Sequence, residues 1–239
     1  MSNIIDFKTD KELKDFLNSK RLSYIAEGSE GRCFASKVDN DAYKVLFEDN
    51  DDEMLLESEY DPKNIITTDV IDLECFAFPK EIYTLNGKLK AYRTKKVDNN
   101  LFNYDEKPDI YSDVKPNLYL IDFKKLEKAY LRLEKEILIL SKLGIKIYDL
   151  CFNLTFNGDS LIAIDTCGYR KVDYDVLNEN IAALNYAIEN LFSLWLAYED
   201  ICFNSNCDDA CEYIRNIGKQ VRRAKQKTYS RKKCNSYLN

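Results

Sequence analysis

Histidine is absent from this chain of 239 residues. That absence excludes Ser-His-Asp and Cys-His catalysis, HExxH zinc sites and any imidazole base. Acid and base work would fall to Asp, Glu, Lys, Tyr or Cys. Long apolar runs are also missing: none approaches the roughly 18 residues that a spanning helix needs, so no membrane span is expected. The N-terminal stretch mixes acids and bases throughout, unlike a secretory leader. We therefore expect a cytoplasmic protein, or one delivered into a host cell without a classical signal peptide. Paired CxxC spacing is absent from the eight cysteines, Cys33, Cys75, Cys151, Cys167, Cys202, Cys207, Cys211 and Cys234. Reduced thiols are the reading this favours over a zinc ribbon or a disulfide framework. Cys202, Cys207 and Cys211 form the one cluster, and a metal there would need Cys234 or an acid as its fourth ligand.

Charge is present in excess and unevenly. The net value is −6, yet from Lys219 onward there are eight Lys or Arg and no acid, so that tail carries +8 and the remainder −14. The overall balance argues against a protein that binds nucleic acid over its whole surface. The run "KQVRRAKQKTYSRKK" (219–233) is a local exception, suited to phosphates of a nucleic acid, an anionic membrane or an acidic partner.

Only seven glycines occur, and two of them stand three apart in "AEGSEGRCF" (26–34), upstream of "DAYKVLF" (41–47). Around them the sequence reads as strand, glycine turn, strand, Asp-Asn-Asp turn, strand. A leading helix over 7–20 is expected from Phe7, Leu13, Phe16 and Leu17 after Thr9 and Asp10. "DDEMLLESEY" has helical propensity, and Asn86-Gly87 marks a hairpin. Residues 98–117, with Pro108 and Pro116, read as a linker. The stretch 122–144 predicts a long helix with Phe123, Leu126, Tyr130, Leu133, Ile137, Leu140 and Leu143 on one face and Gly144 as its stop. Strands on either side of an Asn157-Gly158 turn follow, each bounded by an aspartate, Asp149 and Asp165. Apolar helices are expected over 175–203 and an amphipathic one over 208–225.

A glycine turn lets backbone N–H groups approach phosphate oxygens and supplies positive-φ conformations, and a strand lysine nearby neutralises their charge. Two aspartates joined by one hairpin can face a common cleft, one orienting a nucleophile and one holding Mg²⁺. Either feature alone is common in proteins with no such site. Together and in this order they are not.

On these residues the chain resembles a divergent, minimal member of the protein-kinase superfamily. "AEGSEGRCF" is similar to the glycine-rich loop G-x-G-x-x-G-x-V, with Ala26 at the first glycine, Gly28 and Gly31 at the second and third, Ser29 between them and Cys33 at the valine. "DAYK" resembles V-A-I-K and makes Lys44 the residue for the α- and β-phosphates. "IYDL" (147–150) stands where H-R-D-L would, with Asp149 as catalytic base, and "IDTCGY" (164–169) where the D-F-G strand would, with Asp165 on Mg²⁺. The resemblance spans roughly residues 22–200. It implies an α+β, two-lobed fold: a β-rich N-lobe over 1–97, the linker, a helical C-lobe over 118–218, and a basic tail over 219–239. It also implies ATP and Mg²⁺ as ligands and phosphotransferase activity, with a protein substrate or the chain itself as acceptor.

The departures bear on activity. Leu154 falls where the second metal-binding asparagine belongs, and Asn153 lies one place early. Cys151 stands at the lysine that contacts the γ-phosphate in Ser/Thr kinases. Ile147 and Tyr148 replace the His-Arg pair, and no A-P-E-like segment follows Asp165. Glu53, Glu57 and Glu59 are alternatives for the glutamate that pairs with Lys44, Glu57 being favoured by its neighbours Leu55 and Leu56. Three readings stay open: an active phosphotransferase, a pseudokinase acting through binding, and a nucleic-acid-associated protein led by its basic tail.

Overall fold

The computed structural model describes residues 3–47, 61–98, 118–198 and 210–235. Among the described residues it is an α+β structure with a six-stranded sheet and four helices. The segment carrying Glu53, Glu57 and Glu59 and nearly all of the 98–117 stretch lie outside the described residues.

β1 (Ile4–Phe7) pairs in parallel with β5 (Pro79–Leu85). β2 (Leu22–Glu27), β3 (Gly31–Ser36), β4 (Ala42–Leu46) and β6 (Lys88–Thr94) complete the sheet in the order β1-β5-β6-β4-β3-β2. The two hairpins read from the glycine pair and from Asn86-Gly87 are both present. Asn86 and Gly87 take φ of 51° and 81°, the left-handed pair that a two-residue turn requires.

α1 (Asp10–Ser19) begins later than the periodicity suggests. Thr9 caps it in a reciprocal capping box with Glu12, and Phe7 belongs to β1 instead. Phe7 still packs on Phe16, 5.4 Å between ring centroids, because β1 runs into the helix through a short turn. Leu13, Phe16 and Leu17 cover one face of the sheet over Tyr43, Tyr83 and Ala91.

The opposite face is defined by register. Cys33 pairs with Lys44, Lys44 with Tyr92 and Tyr92 with Ile82, so one row of side chains crosses four strands. Because side chains alternate along a strand, Tyr43 and Val45 go to the α1 face while Lys44 goes to the other.

α2 (Phe123–Lys142) is the expected long helix. Asp122 caps its start by accepting from the Lys124 and Lys125 amides, and Leu126, Tyr130, Leu133, Ile137 and Leu140 are buried. Leu143 is 47% exposed at the C-cap, outside the buried stripe. Gly144 has φ of +69°, and an added Cβ would lie 2.8 Å from the Val172 carbonyl oxygen, so the stop also admits a neighbouring chain segment. α3 (Leu177–Tyr198) and α4 (Ala210–Asn235) pack on α2. The basic run thus begins inside a helix that already started at Ala210.

Two short ribbons complete the helical half: β7 (Ile145–Lys146) with β10 (Arg170–Lys171), and β8 (Leu154–Phe156) with β9 (Leu161–Ala163). The segment entering β5 is stitched to β9. Ala163 donates its amide to the Cys75 carbonyl and Ala77 donates to that of Ala163, both at 2.8 Å. No helix among the described residues is long and apolar enough to cross a membrane.

Candidate functional site

Lys44 projects from β4 into the junction between the sheet and the β8–β9 ribbon. Its side chain is 8% exposed, and its ammonium donates to Asp165 Oδ2 at 2.5 Å and to Glu30 Oε2 at 2.9 Å. Burial pushes its pKa down, but the Asp165 and Glu30 carboxylates outweigh that and hold it above the usual lysine value. A buried ammonium is tolerable only with such partners.

Asp165, two residues past β9, is in the left-handed region, φ 55° and ψ 45°, and leads into the 3-10 turn Thr166–Gly168. Its second oxygen, Oδ1, accepts a 2.6 Å hydrogen bond from Tyr92. Burial, then the Asp165 charge, drives the Tyr92 phenol well above its ordinary value, so it remains a donor at neutral pH. Thr166 anchors the turn by donating to the Ala77 carbonyl at 3.1 Å.

Asp149 also sits in the left-handed region, φ 50° and ψ 28°, before the 3-10 turn Leu150–Phe152, with its side chain exposed. Left-handed non-glycine residues cost energy and persist where their surroundings over-determine them. Here the surroundings are visible. The Asn153 side-chain amide donates to the Asp149 carbonyl at 3.0 Å, while the Asn153 carbonyl accepts from the Ile164 amide at 2.8 Å. The loop of Asp149 is thereby tied to the strand of Asp165. Buried Tyr169 lies within reach of both charges: burial first, then Asp165 and Asp149, raises its phenol.

Asn180 of α3 braces the segment before Asp149. It is fully buried, accepts from the Ile147 amide and donates to Ser141 Oγ and the Ile145 carbonyl, each at 2.9 Å. Cys151 is buried, and burial raises its thiol above the usual value. Leu154 is fully buried in the core, so nothing at that position can hold a metal.

The glycine pair works differently from the sequence-based expectation. Neither Gly28 nor Gly31 has positive φ. Gly31 is required by contact: an added Cβ would stand 2.3 Å from the Val45 carbonyl oxygen on the next strand, whereas at Gly28 the nearest atom is 4.0 Å away. The Gly28 amide is already engaged by the Gly31 carbonyl at 2.9 Å. Ser29, between the two glycines, is exposed. Ala26 faces Cys33 in the β2–β3 pairing.

Of the residues singled out by sequence, Lys44 and Asp165 touch, Asp149 and Asn153 share one loop, and Glu57 lies outside the described residues. Glu30, Tyr92 and Asn180 were not foreseen. Glu30 was visible as an acid inside a glycine turn; Tyr92 and Asn180 carry no local signal. Among the described residues no group of three or more Cys, Asp or Glu could hold a metal ion by itself. Mg²⁺ held jointly with substrate phosphates needs only one or two carboxylates; Asp165 supplies one, its two oxygens engaged here by Lys44 and Tyr92. A separate cleft of about 500 Å³, lined by Phe123, Lys124, Glu127, Arg215, Lys219 and Arg222 among others, contains none of these residues.

A scan of known protein families and a search of curated proteins found nothing that matches this chain.

Proposed function

We propose that the chain is an ATP-dependent phosphotransferase of the protein-kinase-like type, its sheet serving as N-lobe and its helical half as C-lobe. One observation carries the reading: Lys44 and Asp165, 121 residues apart, meet at 2.5 Å where the sheet abuts the β8–β9 ribbon. A phosphate-binding lysine and a metal-binding aspartate must converge in this way to act on one polyphosphate.

In this reading the β2–β3 turn covers the phosphates and Lys44 neutralises their charge. Asp165 holds Mg²⁺, with Asn153 as second ligand through its side-chain oxygen. Asp149, exposed beside them, orients an acceptor hydroxyl and receives its proton. When bound, ATP supplies the phosphoryl group and Mg²⁺ offsets the charge on its oxygens. The rest is positioning, and no histidine is needed.

The pseudokinase reading has its own support. Leu154 is committed to the core and both acidic partners already occupy Lys44. Incubation with Mg²⁺ or Mn²⁺ and ATP, followed by intact mass, separates the two readings, with Lys44→Ala and Asp165→Ala alongside. Phosphate gained by the wild type alone supports the phosphotransferase. A nucleotide-sized gain would assign nucleotidyl transfer. No gain, with ATP still raising the melting temperature, supports the pseudokinase. Transfer undiminished in Asp165→Ala overturns the assignment of that residue.

A further inference from the structure

Lys44 makes two contacts with carboxylates, and the two differ. Asp165 is held from both sides, by Lys44 on one oxygen and Tyr92 on the other, and its backbone caps the 3-10 turn that follows β9. Glu30 comes from the turn between β2 and β3, the element that would lie over the phosphates. Its side chain is 36% exposed against 29% for Asp165.

We propose that Glu30 is an internal anion occupying, in the nucleotide-free protein, the position on Lys44 that a phosphate oxygen would take, and that it must swing away before a nucleotide polyphosphate can bind. The inference rests on the nucleotide-site reading above and adds a gate to it. The space between the glycine turn and Lys44 is where the polyphosphate would run, and the Glu30 carboxylate stands in that space, 2.9 Å from the ammonium. Asp165 and Glu30 already share the ammonium, and a phosphate oxygen added as a third anion would meet heavy repulsion from both. Asp165 is further fixed in place because its other oxygen accepts from the buried Tyr92 hydroxyl.

Release of Glu30 does not require the hairpin to open. The Glu30 carbonyl accepts from the Phe47 amide at 3.0 Å and the Gly28 amide closes the turn on Gly31. The backbone that would cover the phosphates can therefore stay in place while the carboxylate leaves the ammonium. Glu30 is thus an anion selector: a weakly charged ligand does not displace it, whereas a polyphosphate accompanied by a divalent cation does.

The test compares wild type with Glu30→Gln, which keeps the side chain's size and removes its charge. Acetylation of Lys44 by an N-hydroxysuccinimide ester, followed by peptide mass spectrometry, reads whether the ammonium is covered. Titration with a fluorescent ADP in Mg²⁺, and with inorganic tripolyphosphate, reads binding. The proposal expects faster Lys44 acetylation in Glu30→Gln and about tenfold tighter binding of both probes, since a like charge has left their path. Equal acetylation and equal affinity overturn the gate while leaving the nucleotide site standing. Weaker binding in the variant overturns it too, and makes Glu30 a residue that positions Lys44. Faster acetylation with neither protein binding any probe overturns the nucleotide-site reading, and the gate with it, leaving Glu30 a structural ion-pair partner.

Discussion

The hydroxyl of Tyr92 on β6 donates to Asp165 just past β9, 2.6 Å away, and so joins the sheet to the helical half at the point where Lys44 also lands. Tyr92→Phe removes one donor and leaves a carboxylate oxygen unpaired in a largely buried place. We expect a stability loss of about 2 kcal/mol by urea denaturation, the usual scale for a hydrogen bond to a charged group. On the proposed function, phosphate transfer should fall alongside it, because Asp165 loses one of the two groups that orient it. A Phe variant as stable as the wild type would show that the bond contributes nothing.

The two glycines of the β2–β3 turn should respond differently to the same change. Gly31→Ala drives a methyl into the Val45 carbonyl oxygen and the Leu46 Cα, at 2.3 and 2.9 Å, and backbone cannot step aside as a side chain can. We expect a cost of about 2 kcal/mol or more. Gly28→Ala meets nothing closer than 4.0 Å and should leave the melting temperature nearly unchanged. Equal effects at both positions would contradict this account of the turn.

Asn180→Ala should be among the more damaging single changes in the helical half. It deprives the Ile147 amide, the Ser141 hydroxyl and the Ile145 carbonyl of a partner at once, all within the buried brace of the Asp149 loop. A loss of about 3 kcal/mol is expected. Asn180→Asp should not rescue it, since a carboxylate cannot donate to the Ile145 carbonyl. Full stability of the Asp variant would refute the hydrogen-bond assignment.

Acid stability should carry a signature of Asp6. Its carboxylate is held at about 2 instead of the usual 3.8, first by Lys8, then by the Gly87 amide and the Thr84 hydroxyl. A group whose value is lowered by folding stabilises the fold fully above its unfolded value and loses that contribution as pH falls through the folded one. The contribution should therefore be complete above about pH 4 and fade toward about pH 2. Urea denaturation across this window should show a shallower fall for Asp6→Asn than for wild type; matching slopes would remove Asp6 from the account.

Local rules made several elements legible. α2 follows from its 3.6-residue stripe, the Asp122 cap and the Gly144 stop, and the β5–β6 hairpin follows from Asn86-Gly87. Phe7 misled because an aromatic at helical spacing fits equally well on a strand that runs into the helix. β1 escaped notice for a different reason: a parallel partner 78 residues on, as in Ile4 against Ile82, leaves no trace in nearby sequence.

Residue types and their order along the chain were enough to single out Lys44, Asp149, Asn153 and Asp165, because glycine turns, strand lysines and strand-end aspartates are written in short stretches. Which of them touch was not written there. Sheet register set Tyr92 beside Lys44, and the packing of the β8–β9 ribbon against the sheet brought Asp165 beneath both. Turn geometry brought the Glu30 carboxylate to Lys44. Those contacts depend on the summed placement of strands distant in sequence, and a one-residue slip in any pairing would send the same side chains to the opposite face.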